Sequence, residues 1–206
     1  MTKIVRIHPE NPQERNVREV VESLAKGGII IYPTDTVYGL GCDIFNNKAV
    51  EKICQIKGIK PEKAQFSIIC SDLSHLSDYA KPLSNPVFRL MKRCLPGPYT
   101  FILDANTKVP GALTRKKKTI GIRVPANAVL KAIIEMNGNP ILSTSVHDPE
   151  HPDEYSTDPE LIAERFENVA DIVVDGGFCG TIPSTIIDCT GGNLEITREG
   201  LGKIEL

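Results

Sequence analysis

Apolar runs of strand length alternate with amphipathic runs of helix length along the whole 206-residue chain. That alternation restricts the fold to helices layered on a sheet. Residues 16–26 carry Val17, Val20, Val21 and Leu24 at helical spacing and stop at Gly27-Gly28, as a glycine C-terminus requires. Ile29-Ile30-Ile31-Tyr32 then reads as a buried strand. A second helix starts at the Asn46-Asn47 cap, turns Val50, Ile53, Cys54 and Ile56 inward and ends at Gly58, which puts Lys57 at a helix end. Further helices are expected over residues 86–94, 128–136 and 159–166, the last with Asp158 as cap and Pro159 at its first position. Strands are expected over 66–70, 99–103, 120–124, 141–145, 171–174, 184–188 and 194–198. Stretches 60–65, 104–118 and 147–157, rich in Pro or charge, are the expected mobile loops.

A chain of this length folds as one domain by default, so a single domain over residues 1–206 is expected. Hydrophobic residues at 41% and charged residues at 24% match globular usage and exclude a disordered or fibrous chain. No window approaches the roughly 18–20 apolar residues of a membrane helix and no signal-length apolar stretch opens the chain, so a cytoplasmic protein without a membrane partner is expected. Cys42, Cys54, Cys70, Cys94, Cys179 and Cys189 lack the short paired spacings of zinc or redox sites and read as reduced core residues. His147 and His151, with Asp148 and Glu150 between them, do not complete a ligand set, and no metal site is expected there. The net charge of −2 is unevenly placed: residues 48–131 hold sixteen Lys or Arg against five Asp or Glu, a balance of +11, and the rest carries −13. A basic half can steer phosphates or nucleic acid if folding gathers it on one face; otherwise its charges intermix as a solvated surface.

The phosphate-loop, dinucleotide-fingerprint, nucleophile-elbow and H-E-x-x-H motifs are all absent, so a nucleotide would have to be held by other means. Tyr32-Pro-Thr-Asp-Thr-Val-Tyr-Gly-Leu-Gly-Cys-Asp43 follows a strand and concentrates hydroxyls, a carboxylate and two glycines. Strand ends of open sheets form ligand crevices, although Thr hydroxyls also cap simple turns. Strand alternation places Ser143, Ser145 and His147 on one face, where either a ligand or neighbouring backbone must satisfy them. Arg123 lies inside the apolar run Thr119-Ile-Gly-Ile-Arg-Val-Pro, and Arg198 repeats the situation after Leu194-Glu-Ile-Thr. A strand arginine needs an acidic partner or an anionic ligand, and two of them favour an anion-binding cavity.

Pro33-Thr-Asp-Thr-Val-Tyr-Gly-Leu-Gly, Pro96-Gly-Pro-Tyr-Thr-Phe-Ile-Leu, Gly121-Ile-Arg-Val-Pro, Ser143-Thr-Ser, Pro183-Ser-Thr-Ile-Ile-Asp and Thr197-Arg-Glu-Gly together resemble the YrdC/YciO family, in the same order over most of the chain. The resemblance implies an α+β fold, a twisted mixed parallel and antiparallel sheet flanked by helices, with a positively charged cavity. It also implies nucleotide and double-stranded RNA binding and, in synthase members, formation of threonylcarbamoyl-adenylate from threonine, bicarbonate and ATP for tRNA modification. By that resemblance Thr36, Arg123 and Ser184 contact the substrate L-threonine. Thr119, Ser143, Ser145 and Arg198 contact ATP, and Lys57 and Ser145 are the catalytic positions. Mg²⁺ could accompany the nucleotide, and Lys116, Lys117 and Lys118 are the expected RNA contacts.

Synthase members resemble one another in a Lys-x-Arg and a Ser-x-Asn; here Lys57-Gly-Ile59 and Ser145-Val-His147 stand instead. Ile59 removes a fixed fork of donors and His147 puts a titratable ring where a small amide would sit. Lys60 or Lys63 could compensate only as point charges. Together with Phe66-Ser-Ile-Ile-Cys and Pro98-Tyr-Thr, this brings the chain nearer the YciO branch. Two readings follow: a synthase relative with reduced or altered activity, or a non-catalytic binder of structured RNA recognised by phosphate and shape.

Overall fold

The computed structural model describes residues 2–60, 64, 66–114, 118–147 and 154–205. The strands are β1 (Lys3–Arg6), β2 (Ile30–Tyr32), β3 (Gly39–Asp43), β4 (Ser67–Ile69), β5 (Tyr99–Asp104), β6 (Thr119–Arg123), β7 (Ile141–Ser145), β8 (Ile172–Asp175), β9 (Thr185–Asp188) and β10 (Glu195–Arg198). The helices are α1 (Glu14–Ala25), α2 (Asn47–Ile56), α3 (Leu76–Tyr79), α4 (Asn85–Cys94), α5 (Gly111–Thr114), α6 (Ala128–Asn137) and α7 (Pro159–Arg165). The strands join one open sheet in the order β1-β8-β2-β3-β7-β4-β6-β5-β9-β10. Pairs β1·β8, β8·β2, β4·β6 and β5·β9 are parallel and the other five antiparallel, which makes the sheet mixed as the family resemblance implies.

The helices form where side-chain caps and apolar spacing agree. Asn46 accepts the Ala49 amide, Asn127 the Leu130 amide, and Asp158 the amides of Glu160 and Leu161, each filling an orphan donor of a first turn. β1, β3 and α3 stand where no element was expected, as does a 3-10 turn over Thr190–Gly192. The expected loop 104–118 also contains α5, and 61–63, 65, 115–117 and 148–153 lie outside the described residues. β3 escapes a pattern search because its glycines break the strand signature. Packing requires them: a Cβ on Gly39 would meet the Tyr32 ring at 2.6 Å, and one on Gly41 the Leu142 carbonyl at 2.1 Å.

Which face each helix covers decides where a site can lie. One face carries Ile31, Leu40, Cys42, Ile68, Phe101, Ile122, Leu142 and Ile187, and packs against α2, α4 and α7 through Val50, Ile53, Leu90, Met91 and Ile162. α3 and α5 join the same cluster through Leu76, Tyr79 and Leu113. Among the described residues the other face packs only against α1 and α6, whose Val17, Val20, Leu24, Val129, Leu130 and Ile133 cover Val5, Ile30, Tyr32, Ile69, Ile141, Ile172 and Val174. Among the described residues no helix covers the rest of that face. There, registered across the strands, lies the row Gly41, Ser143, Ser67 and Gly121. Small and polar residues occupy it because no apolar partner arrives to bury larger ones.

Candidate functional site

Three hydrogen-bonded groups stand on or around this uncovered half-face. The first is built on the turn between β2 and β3. Thr34 Oγ1 donates to the Val37 carbonyl at 2.7 Å and accepts the Thr36 amide at 3.0 Å. Its proton is thereby committed, so Thr36 Oγ1 donates to Thr34 Oγ1 across 3.0 Å and accepts from Arg123 Nη2 at 3.1 Å. Arg123 Nη2 also meets Asp35 at 3.3 Å, and the second oxygen of Asp35 accepts the Ala126 amide at 3.0 Å. Burial pulls the Arg123 guanidinium below its ordinary value, and Asp35 opposes that shift. Arg123 Nε, fully enclosed, has no hydrogen-bond partner among the described residues.

The second group ties the far edge of the sheet to the same face. Arg198 donates from Nε and Nη2 to the Ser184 carbonyl at 3.1 and 2.7 Å, and from Nη2 to Ser184 Oγ at 3.2 Å. Ser184 Oγ lies 2.8 Å from Thr100 Oγ1 on β5. A register shift between Ile196 and Arg198 pairs Arg198 with Ile186. Such a bulge re-aims a side chain, and here it sets Arg198 on the same face as Thr100, the residue registered with Ile186 across β5.

The third group lies at the end of β7. Lys57, at the C-cap of α2, donates through Nζ to the Ser145 carbonyl at 3.2 Å, and burial lowers its pKa. Ser145 Oγ lies 3.0 Å from His147 Nε2, the ring tautomer deciding which donates. His147 bridges to Tyr155, with ring centroids 4.6 Å apart. Ser143 is buried beside Tyr32, whose phenol reaches the Leu142 carbonyl at 3.5 Å and is pushed upward by burial.

The structure thus places Thr36 with Arg123, Ser184 with Arg198, and Lys57 with Ser145 and His147. Ser143 and Thr119 stand on the same face of β7 and β6 as these groups. Lys118 is exposed, apart from the buried groups, and Lys116 and Lys117 lie outside the described residues. Ile59 packs partly into the core below α2. Of the two partners expected for a strand arginine, Arg123 has the acidic one, Asp35. Sequence reasoning gave no site role to Thr100, which acts through Ser184 far along the chain, or to Tyr155, which lies in a stretch read as loop; Thr34 and Asp35 were visible only as members of a polar run. The cysteines are all free thiols, five of them buried. Among the described residues no three His, Cys, Asp or Glu side chains gather to hold a metal ion, and no helix is long and apolar enough to cross a membrane.

The Sua5/YciO/YrdC family model, described as telomere recombination, matches residues 22–200, a span that holds all three groups. The chain belongs to the Sua5/YciO/YrdC family. Within this family it is 44% identical to YciO of Escherichia coli strain K12 over 207 residues, covering all of this chain and 98% of that one. The crystal structure of E. coli YciO superposes with a TM-score of 0.91 over 98% of both chains. The threonylcarbamoyl-AMP synthase of Coxiella burnetii strain RSA 493 is 30% identical over 87% of this chain and 96% of its own length. P. abyssi Sua5, in a crystal structure with L-threonine, is 28% identical with a TM-score of 0.86, over 97% of this chain and 58% of that one. The mixed open sheet flanked by helices is therefore the family's fold, and the chain is related to the threonylcarbamoyl-AMP synthases.

Proposed function

We propose that the uncovered half-face binds L-threonine and ATP, and that the chain is a relative of L-threonylcarbamoyladenylate synthase whose turnover is reduced. Arg123 carries this reading: a buried guanidinium fixed to the Thr36 hydroxyl while its Nε lacks a partner among the described residues. The threonine carboxylate and amine suit Arg123 and the remaining lone pair of Thr36, and the L-threonine complex of P. abyssi Sua5 supports the ligand. Ser184 completes the substrate contacts; Thr119, Ser143, Ser145 and Arg198 serve the nucleotide. Condensing bicarbonate with the threonine amine, with water leaving, and joining the resulting carbamate oxygen to the α-phosphorus of ATP, with pyrophosphate leaving, brings anions together. It needs fixed cations and hydroxyls rather than a covalent nucleophile. Lys57 supplies a point charge beside Ser145; Mg²⁺, where used, would rest on the phosphates. The cytoplasm, with its ATP, is the setting.

Turnover is reduced because Ile59 and His147 stand where synthases carry donors, and losing one fixed donor costs about 10²- to 10³-fold. Incubation with ATP, threonine and bicarbonate, followed by pyrophosphate release, tests the reading. The expected result is slow product formation that rises in the Ile59→Arg/His147→Asn double variant. Synthase-like turnover in the wild type refutes the reduction.

A second reading, a non-catalytic binder of structured RNA, draws on α4. Its exposed Arg89, Lys92 and Arg93 form no salt bridge among the described residues, and Lys92 sits over the Phe88 ring at 5.6 Å. Duplex RNA binding that weakens steeply with salt supports it, since each neutralised phosphate releases about one counterion. Salt-independent or undetectable binding removes it.

A further inference from the structure

Two side-chain atoms are fully buried without a hydrogen-bond partner among the described residues: Arg123 Nε and Ser156 Oγ. Such atoms are few in native proteins and each requires a cause. Both belong to the same corner of the molecule. Arg123 bonds Thr36 directly. Ser156, itself only 7% exposed, precedes Thr157, whose carbonyl accepts the Cys179 amide at 3.3 Å. Cys179 and Gly180 in turn bond the carbonyls of Thr34 and Thr36. On its other side Tyr155 pairs with His147 and acts electrostatically on Arg198. The segment Tyr155-Ser156-Thr157 is therefore fastened to the first and third polar groups and lies within electrostatic reach of the second, with its one serine buried and unused.

Arg123 Nε is a donor only, whereas a serine hydroxyl can donate or accept, so a partner common to both must be an acceptor. We infer that Ser156 Oγ and Arg123 Nε together bind one anionic oxygen of the ligand, a carboxylate or a phosphate. This makes Ser156 a further ligand-binding residue of the site, and it rests on the reading given under Proposed function. A donor preorganised in this way is unpaired until the ligand arrives, so its removal weakens binding without weakening the fold.

Thermal melting of the full chain and of Ser156→Ala tests this, without ligand and with L-threonine alone, ATP alone, or both with bicarbonate. Unliganded Ser156→Ala is expected to melt at or above the wild-type temperature. Its ligand affinity, from the concentration dependence of the shift, is expected to fall about 10- to 100-fold, the loss of a hydrogen bond to a charged group. A loss confined to threonine assigns the carboxylate; one confined to ATP assigns the phosphate. Full retention of every wild-type shift overturns the inference, as does a lower unliganded melting temperature, which shows that the hydroxyl already has a partner. A wild type stabilised by none of the three additions sinks the proposed function itself and this inference with it.

Discussion

Replacing Asp35 by Asn is the sharpest probe of how the site is held. The Asp35 and Arg123 side chains are 10% and 9% exposed, and their closest atoms lie 3.3 Å apart. At an effective dielectric of about 20, unit charges at that separation attract by about 5 kcal/mol. Removing one member of a buried pair typically costs about 3–5 kcal/mol, because the other charge is left uncompensated. Asparagine can still accept the Ala126 amide, but its NH₂ then turns toward Arg123 as a second donor, so the loss includes the charge and the acceptor together. In a chain of 206 residues the expected fall in melting temperature is about 6–20 °C. Urea denaturation of both single variants and of Asp35→Asn/Arg123→Met checks the origin of the effect. The double variant should regain part of the stability, since it leaves no uncompensated charge in the site. Arg123 in Asp35→Asn lacks its counter-charge, so ATP or threonine should stabilise that variant more than wild type. An Asp35→Asn change within about 0.5 kcal/mol of wild type, the range of ordinary surface substitutions, would refute the account of the pair as buried and coupled.

Arg198→Ala should abolish the ATP-dependent rise in melting temperature while lowering unliganded stability by about 1.5–3 kcal/mol, the worth of charged hydrogen bonding to Ser184, and leaving the chain folded; unfolding of the variant with no ATP effect on wild type would make Arg198 purely structural. Gly41→Ala should cost about 3 kcal/mol or more in urea denaturation, because its Cβ would stand 2.1 Å from the Leu142 backbone carbonyl and no side-chain rotation relieves that contact. A near-wild-type midpoint would show that β3 and β7 are not as closely paired as described.

Elements whose signals are local were legible in the sequence. α2, α6 and α7 begin at Asn46, Asn127 and Asp158 because those side chains bond amides two or three residues on, information contained within one turn. Strand order is another matter. β1 pairs with β8 across nearly the whole chain, and nothing within Lys-Ile-Val-Arg states that Lys3 will meet Ile172. The three short or glycine-bearing elements β1, β3 and α3 carry too few apolar side chains to show a period. β3 is a strand because Tyr32 and Leu142 need the room its glycines leave, a reason held by its neighbours.

The site divides along the same line. Thr36, Ser143 and Ser145 belong to recognisable runs, and their shared face follows from alternation and register. Strict alternation, however, would send Arg198 to the core face with Ile196; only the register shift opposite Ile186 and Ile187 brings its guanidinium to Ser184. Arg123 in an apolar strand posed a choice between ion pair and anion site, and the structure divides its donors: Nη2 serves Asp35 and Thr36, while Nε is left over. The counter-charge keeps the guanidinium buried and oriented, and a single contact to Asp35 rather than a bidentate one keeps part of its donor set for a ligand. An arginine saturated by its carboxylate would be stable and inert; one without any would be expelled to solvent. Arg123 lies between these limits, which is why its role could not be read from the strand that carries it.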